Sequence, residues 1–191
     1  MPNESQHSPE IPPAVCIVGK KNSGKTTLTV ALALWLKGAG YRVATIKHGH
    51  HAFESDERGR DSWRHFNEGE AEASIMSAAG KVALTMRIEG EPDPEQLIRD
   101  FYAGRGLDVV LVEGFKHGAL PKIEIFRRGI HARPAHDPDD NAVVAYVTDD
   151  LGVQSRAAQA GALVVPLGSD GSHVEAVGRI IERRIIGGHA R

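Results

Sequence analysis

The chain has 191 residues, with 41% apolar and 25% charged side chains, 23 Lys and Arg against 25 Asp and Glu. At roughly 150 residues per domain that length holds one α/β domain with elaborations, and the composition excludes disorder along the whole chain. A net charge of −2 removes the basic excess that a nucleic-acid or anionic-membrane partner requires, while leaving small anions open.

Residues 1–13 read as a flexible leader, because Pro2, Pro9, Pro12 and Pro13 block regular structure. The leader lacks a basic segment followed by an apolar one, so no signal peptide is expected. The longest apolar stretch, 28–36, is interrupted by Thr29 and falls far short of a membrane span. The expected location is the cytoplasm. Residues 14–191 are expected to form a single domain. Its first strand is 14–18, a continuous apolar run suited to burial on both faces. The single cysteine, Cys16, lies in that run, which excludes an intrachain disulfide and reads as a buried small hydrophobe.

A Gly-rich turn leads into a helix over 25–37, closed by Gly38 and Gly40. Residues 41–46 read as a strand, and this strand–helix–strand order calls for a parallel sheet. Residues 47–59 read as an exposed loop, and 61–68 as a short helix with Asp61 as its cap. Strands are expected at 73–77 and 82–88, joined by a turn at Ala79-Gly80. A helix over 94–102 follows, with Pro94 in its first turn, then an apolar strand over 107–112. Residues 123–126 alternate only weakly, and the region 122–140 is grouped with 73–88 as inserted strand material. Beyond a turn-rich loop at 134–140 come a strand over 142–147, a helix over 155–160, a strand over 162–165 and a closing helix over 172–186. Alternating strands and helices give a doubly wound α/β fold, mainly parallel, with helices on both faces and extra antiparallel strands.

Gly19-Lys-Lys-Asn-Ser-Gly24-Lys25-Thr26 matches G-x-x-x-x-G-K-[ST] between a buried strand and a helix. The two glycines allow backbone angles at which successive N–H groups face phosphate oxygens, and the helix start adds its dipole. This motif makes the expected fold one of P-loop NTPase type, and nucleotide binding is expected at Gly19, Asn22, Ser23, Gly24, Lys25 and Thr26. Lys25 reaches distal phosphates and Thr26 supplies a ligand for Mg²⁺. The metal needs a carboxylate at the end of a neighbouring strand. Glu113 stands where the run 108–112 stops, on the ligand side of such a sheet. Lys25 and Glu113 are the expected catalytic residues, and Thr26 and Glu113 the metal pair. Gly114 would bring a backbone N–H to the phosphate, and Lys116 would add positive charge.

Lys47-His48-Gly-His50-His51 begins at the end of the second strand, with Asp56 and Gly59-Arg60-Asp61-Ser62 downstream. Three readings stay open: a metal shared by His48, His51 and Asp56; contact of Lys47 and the imidazoles with phosphates or an anionic pterin-like ligand; or purely structural roles. Lys47, His48, His51, Asp61 and Ser62 form the expected ligand or switch loop. The Asn/Thr-Lys-x-Asp string that reads guanine is missing. Asp149, in Thr148-Asp149-Asp150 after a late strand, is the nearest base-reading candidate, and spacing leaves guanine and adenine undecided.

Taken together, these residues resemble the MobB family of P-loop GTP-binding proteins in molybdenum-cofactor biosynthesis. The resemblance rests on Gly24-Lys25-Thr26-Thr27, Ile46-Lys47-His48 with His51, Asp56, Gly59-Arg60-Asp61-Ser62 and Glu113-Gly114-Phe115-Lys116. It covers about residues 13–170. Arg60 departs from it, standing where lysine is expected. The resemblance implies binding of GTP and Mg²⁺ with weak hydrolysis, with Gly24, Lys25, Thr26 and Thr27 holding phosphates and Mg²⁺ and Glu113 completing the metal site, and a homodimer. It also implies cooperation with the guanylyltransferase that attaches GMP to molybdopterin. Whether molybdopterin itself contacts the chain stays open. Two other classes compete. Val112-Glu113-Gly114 also looks like the strand end of dethiobiotin-synthetase-type ATP-dependent ligases, and the histidines would suit a metallochaperone GTPase.

Overall fold

The computed structural model describes residues 9–49, 56–138 and 140–187. The chain divides into two compact units, one formed by 1–48 and 93–191, the other by 49–92.

The larger unit is built on a six-stranded sheet. Its strands are β1 (Ala14–Val18), β2 (Val43–Lys47), β5 (Val109–Glu113), β6 (Lys122–Phe126), β7 (Val143–Thr148) and β8 (Leu163–Pro166). They lie in the order β2-β5-β1-β6-β7-β8, and every neighbouring pair is parallel. Period-two alternation distributes the apolar runs between two faces. Val15, Ile17, Val109 and Leu111 pack with Leu28, Leu32 and Leu36 of helix α1 (Lys25–Gly38) and with Val177 and Ile181 of α5 (Ser172–Ile181). Cys16, Val18, Val110 and Val112 meet Ile98 of α3 (Pro94–Tyr102) on the other face. Farther along that face, Phe126 and Tyr146 cover Val153 and Ala157 of α4 (Leu151–Gln159). A Cβ on Gly178 would lie 2.3 Å from Trp35 Cε3, so this glycine is what lets α5 approach the Trp35 ring on α1.

Several elements differ from the sequence expectation for identifiable reasons. β6 is a central, fully buried strand beside β1, whereas its weak alternation had grouped it with inserted material. It lacks the continuous apolar run of a central strand because two of its five residues, Lys122 and Glu124, are charged, and both are buried. Each is satisfied internally. Lys122 Nζ donates to the Gly118 carbonyl at 2.6 Å. Glu124 accepts from the backbone N–H groups of Ala135 and His136 and lies 2.7 Å from His136 Nδ1. α4 begins four residues earlier than expected, at Leu151, because Asp150 Oδ1 accepts from Val153 N at 2.9 Å and caps it. The closing helix changes to a π-helical turn over Glu182–Ile186. At the other end, Glu10 and Pro13 carbonyls accept from Gly104 N and Val110 N, both at 2.9 Å.

The smaller unit holds α2 (Asp61–Asn67) and an antiparallel hairpin of β3 (Ala73–Ala78) and β4 (Lys81–Met86). Asp61 is the first residue of α2, and Arg60 occupies the capping position without a side-chain cap bond. The Arg87 guanidinium lies 4.5 Å from the Phe66 ring centroid and donates to the Phe66 carbonyl at 2.7 Å. Ile75, Met76, Val82, Leu84 and Met86 of the hairpin are exposed. Among the described residues no helix is long and apolar enough to cross a membrane.

Candidate functional site

The phosphate loop follows β1 and opens α1 without a side-chain cap. Gly19 has φ +145° and Gly24 φ +103°. A Cβ on Gly19 would stand 2.5 Å from the Ile125 carbonyl oxygen, so the loop is held against β6 at a distance only glycine permits. Asn22, at φ +62°, takes a left-handed conformation that asparagine tolerates better than most residues. His131 Nε2 lies 2.6 Å from the Lys21 carbonyl and ties the loop to the segment after β6. The first turn of α1 has no acidic side chain, so the positive end of its dipole and its unpaired N–H groups remain available to an anion. Thr26 and Thr27 are exposed there, and Ser23 is buried.

Lys25 Nζ donates to the Lys20 carbonyl at 2.8 Å. Burial, with the charges of Lys116 and Lys47 adding to it, pushes the Lys25 pKa below its ordinary 10.5, and Glu113 opposes this. An ammonium so destabilised gains most from an incoming polyanion.

Glu113 ends β5, paired in register with Ile17 of β1 on one side and Lys47 of β2 on the other. Its Oε1 accepts from Thr26 Oγ1 at 2.7 Å and from Lys47 Nζ at 2.8 Å. Lys47 Nζ is also 3.5 Å from Thr26 Oγ1. Lys47 had been expected at the head of a loop; the structure makes it the last residue of β2. A hydroxyl and a carboxylate are hard oxygen donors of the kind Mg²⁺ takes, and the Lys47 ammonium already marks a position that favours a cation.

The glycine after Glu113 has a different use from the expected one. Gly114 N donates to the Ile17 carbonyl at 3.1 Å and is therefore occupied within the sheet. A Cβ there would stand 2.9 Å from His48 Cβ. Gly114 thus admits His48, whose ring stacks on Phe115 at 4.3 Å. A cleft of about 690 Å³ runs from Glu113 and Lys47 between α1 and β2, walled by Val30, Ala33, Leu34, Val43 and Ile46.

The remaining sequence candidates are placed as follows. Asp149 Oδ1 accepts from Arg128 N at 2.7 Å, beyond the end of β7. Lys116 contributes its carbonyl to His136 Nε2 at 2.9 Å. In the smaller unit, Ser62 Oγ donates to Asp56 Oδ2, and that bond lowers the Asp56 pKa. His50 and His51 lie outside the described residues, and among those described no group of three or more His, Cys, Asp or Glu side chains could hold a metal. Arg127, the residue after β6, was not singled out from the sequence. It has no motif to mark it and reaches the loop only through sheet order, its Nε lying 3.5 Å from where a Gly24 Cβ would be.

Residues 14–149 match the family model of MobB, molybdopterin guanine dinucleotide synthesis protein B. The chain belongs to the MobB family. It is 36% identical over 141 residues to the molybdopterin-guanine dinucleotide biosynthesis adapter protein of Escherichia coli (strain K12), covering 72% of this chain and 78% of that one. The Haemophilus influenzae adapter protein is 37% identical over 117 residues, 61% of this chain and 64% of that protein. The fold agrees with solved MobB structures. A MobB homologue from Bacillus stearothermophilus superposes with a TM-score of 0.61 at 22% identity, over 90% of this chain and 99% of that one. Another crystal structure, of molybdopterin-guanine biosynthesis protein B, gives a TM-score of 0.64 at 23% identity, over 89% and 97%. The MobB match takes in the phosphate loop, Lys47, Glu113 and the start of the Asp149 segment.

Proposed function

We propose that this chain is a GTP-binding adaptor in molybdenum-cofactor biosynthesis, supporting the conversion of molybdopterin to molybdopterin guanine dinucleotide. One observation carries the nucleotide half: the phosphate loop, Lys25, and the Thr26–Glu113 pair converge at the carboxyl ends of adjacent parallel strands. The pathway half rests on family membership and on the adapter proteins that the chain resembles.

Backbone N–H groups from Gly19 to Thr27 and the Lys25 ammonium bind the phosphates. Thr26 and Glu113 would hold Mg²⁺, which when bound neutralises phosphate charge. Hydrolysis is weak in this reading, since Glu113 Oε1 already accepts from Thr26 and Lys47 and serves as an anchor rather than a base. Asp149 is the guanine-reading candidate, standing just past the carboxyl end of β7. The protein works in the cytoplasm as a homodimer with a guanylyltransferase. The dimer is supported by the apolar hairpin, where Ile75 and Val82 are each 67% exposed, because a lone two-stranded hairpin is marginal in water. In this reading the nucleotide-binding domain comprises residues 14–191, with 1–13 as a leader. Family membership favours this adaptor over a stand-alone ATP-dependent ligase or a metallochaperone.

Titration calorimetry with GTP and ATP tests the ligand, and capture from cell extract with a non-hydrolysable GTP analogue tests the partner. Preferential GTP binding and recovery of a nucleotidyltransferase are expected. ATP preference, or turnover near the roughly 1–100 s⁻¹ of kinases on a small acidic metabolite, would replace the adaptor with the ligase reading.

A further inference from the structure

We propose that Arg127 is a phosphate-binding residue of this site, clamping the bound polyphosphate from the side opposite Glu113. The inference rests on the nucleotide reading and adds to it a residue that no sequence motif marks.

The Nε atom of Arg127 is buried and has no hydrogen-bond partner among the described residues. A guanidinium keeps its charge at all accessible pH values and can only donate, so a buried, unanswered N–H on it carries a desolvation cost that only an acceptor removes. The position of the group says which acceptor. Arg127 Nε and Nη2 both lie 3.5 Å from the point where a Cβ on Gly24 would stand, and Gly24 is the residue that opens α1. A second buried polar atom without a partner belongs to the same loop. Ser23 is only 1% exposed, and its Oγ lies 2.7 Å from the point where a Gly19 Cβ would stand. Two unsatisfied donors thus border the two loop glycines, one of them a fork matched to phosphate oxygens.

The sheet order explains how the residue arrives. β1 lies between β5 and β6. β5 delivers Glu113 on one flank of the loop, where Lys47 joins it. β6 ends at Phe126 on the other flank and delivers Arg127 as its next residue. The loop is bordered by a cation-holding carboxylate on one side and an anion-holding guanidinium on the other.

The test uses the full chain with Arg127→Met and Arg127→Lys. GTP and inorganic triphosphate, each with Mg²⁺, are titrated calorimetrically, and the thermal midpoint of the nucleotide-free protein is recorded. Arg127→Met should weaken both ligands by roughly tenfold or more, the loss expected for a charged hydrogen bond. Its midpoint should hold or rise, because the substitution removes an unpaired buried donor. Arg127→Lys keeps the charge without the fork and should fall between, which decides the matter should Arg127→Met fail to fold. Unchanged affinity in the variants, or a lowered midpoint in both, overturns the assignment and makes Arg127 structural. If the unaltered chain binds neither probe, the nucleotide reading itself fails and this inference goes with it.

Discussion

Thr26 Oγ1 donates to Glu113 Oε1 at 2.7 Å across 87 positions of sequence, and Lys47 Nζ shares the same oxygen at 2.8 Å. A hydroxyl and a carboxylate from separate elements are thus brought within coordinating reach of one point. Glu113→Gln removes the negative charge while keeping the shape. GTP affinity measured with Mg²⁺ should fall by about tenfold, roughly 1.4 kcal/mol, whereas affinity measured with a chelator should change little. Equal losses under both conditions would show that Glu113 serves the fold and not the cation.

Lys25 offers a test by pH. Its pKa lies below the ordinary 10.5, mainly through burial, so between the two values the unfolded chain holds more protons than the native one. Native stability then gains from this group as pH rises through that alkaline window. A bound triphosphate pairs with the ammonium and reverses the preference, so binding takes up a proton and affinity falls as pH rises through the same window. Calorimetry in two buffers of different ionisation enthalpy should register that uptake in the unaltered chain and lose it in Lys25→Arg, whose charge is constant. Identical proton uptake in the two proteins would count against the role given to Lys25.

Gly19→Ala tests the loop backbone. The new Cβ would meet the Ile125 carbonyl oxygen at 2.5 Å, at a φ of +145°, and neither side can yield cheaply. A destabilisation of about 1–3 kcal/mol is expected from the backbone strain alone, together with lost GTP binding. Urea unfolding checks the first part, and a midpoint equal to the unaltered protein would refute it.

Glu124→Ala removes the acceptor that Ala135 N, His136 N and His136 Nδ1 share in the buried centre of β6. Leaving buried donors unanswered should cost about 3–5 kcal/mol. Denaturant titration measures it. A loss within error of zero would mean that solvent reaches these donors.

Much of the candidate site was legible in the sequence because the phosphate-loop motif is local. Gly19, Gly24, Lys25 and Thr26 sit within eight positions, between a strand and a helix that their own patterns announce. Glu113 was legible from the place where an apolar run ends. What escaped depends on which strands lie side by side. Nothing near Arg127 in sequence indicates Gly24, and only the β1–β6 pairing joins them. The same holds for Lys47, which takes its Glu113 contact from the β2–β5 register. β6 was read as peripheral because Lys122 and Glu124 break its apolar run, and only their buried partners show why a central strand tolerates them. Gly114 looked like a ligand contact; its backbone N–H is already bonded to Ile17.

The arrangement of β2, β5 and β1 also bears on how the protein folds. β5 pairs with both β1 and β2, and the β2–β5 pairing closes a loop that contains the whole 49–92 unit. Such closure is slow to find, though lengthening the enclosed segment adds little, about 0.6 kcal/mol per doubling. Thr26, Lys47 and Glu113 meet only after this closure. A nascent chain ending before residue 113 therefore carries the phosphate loop without Glu113. On the proposed function, GTP with Mg²⁺ would recognise the finished sheet in preference to its early pieces, and its stabilisation would be gained late, after that pairing is done.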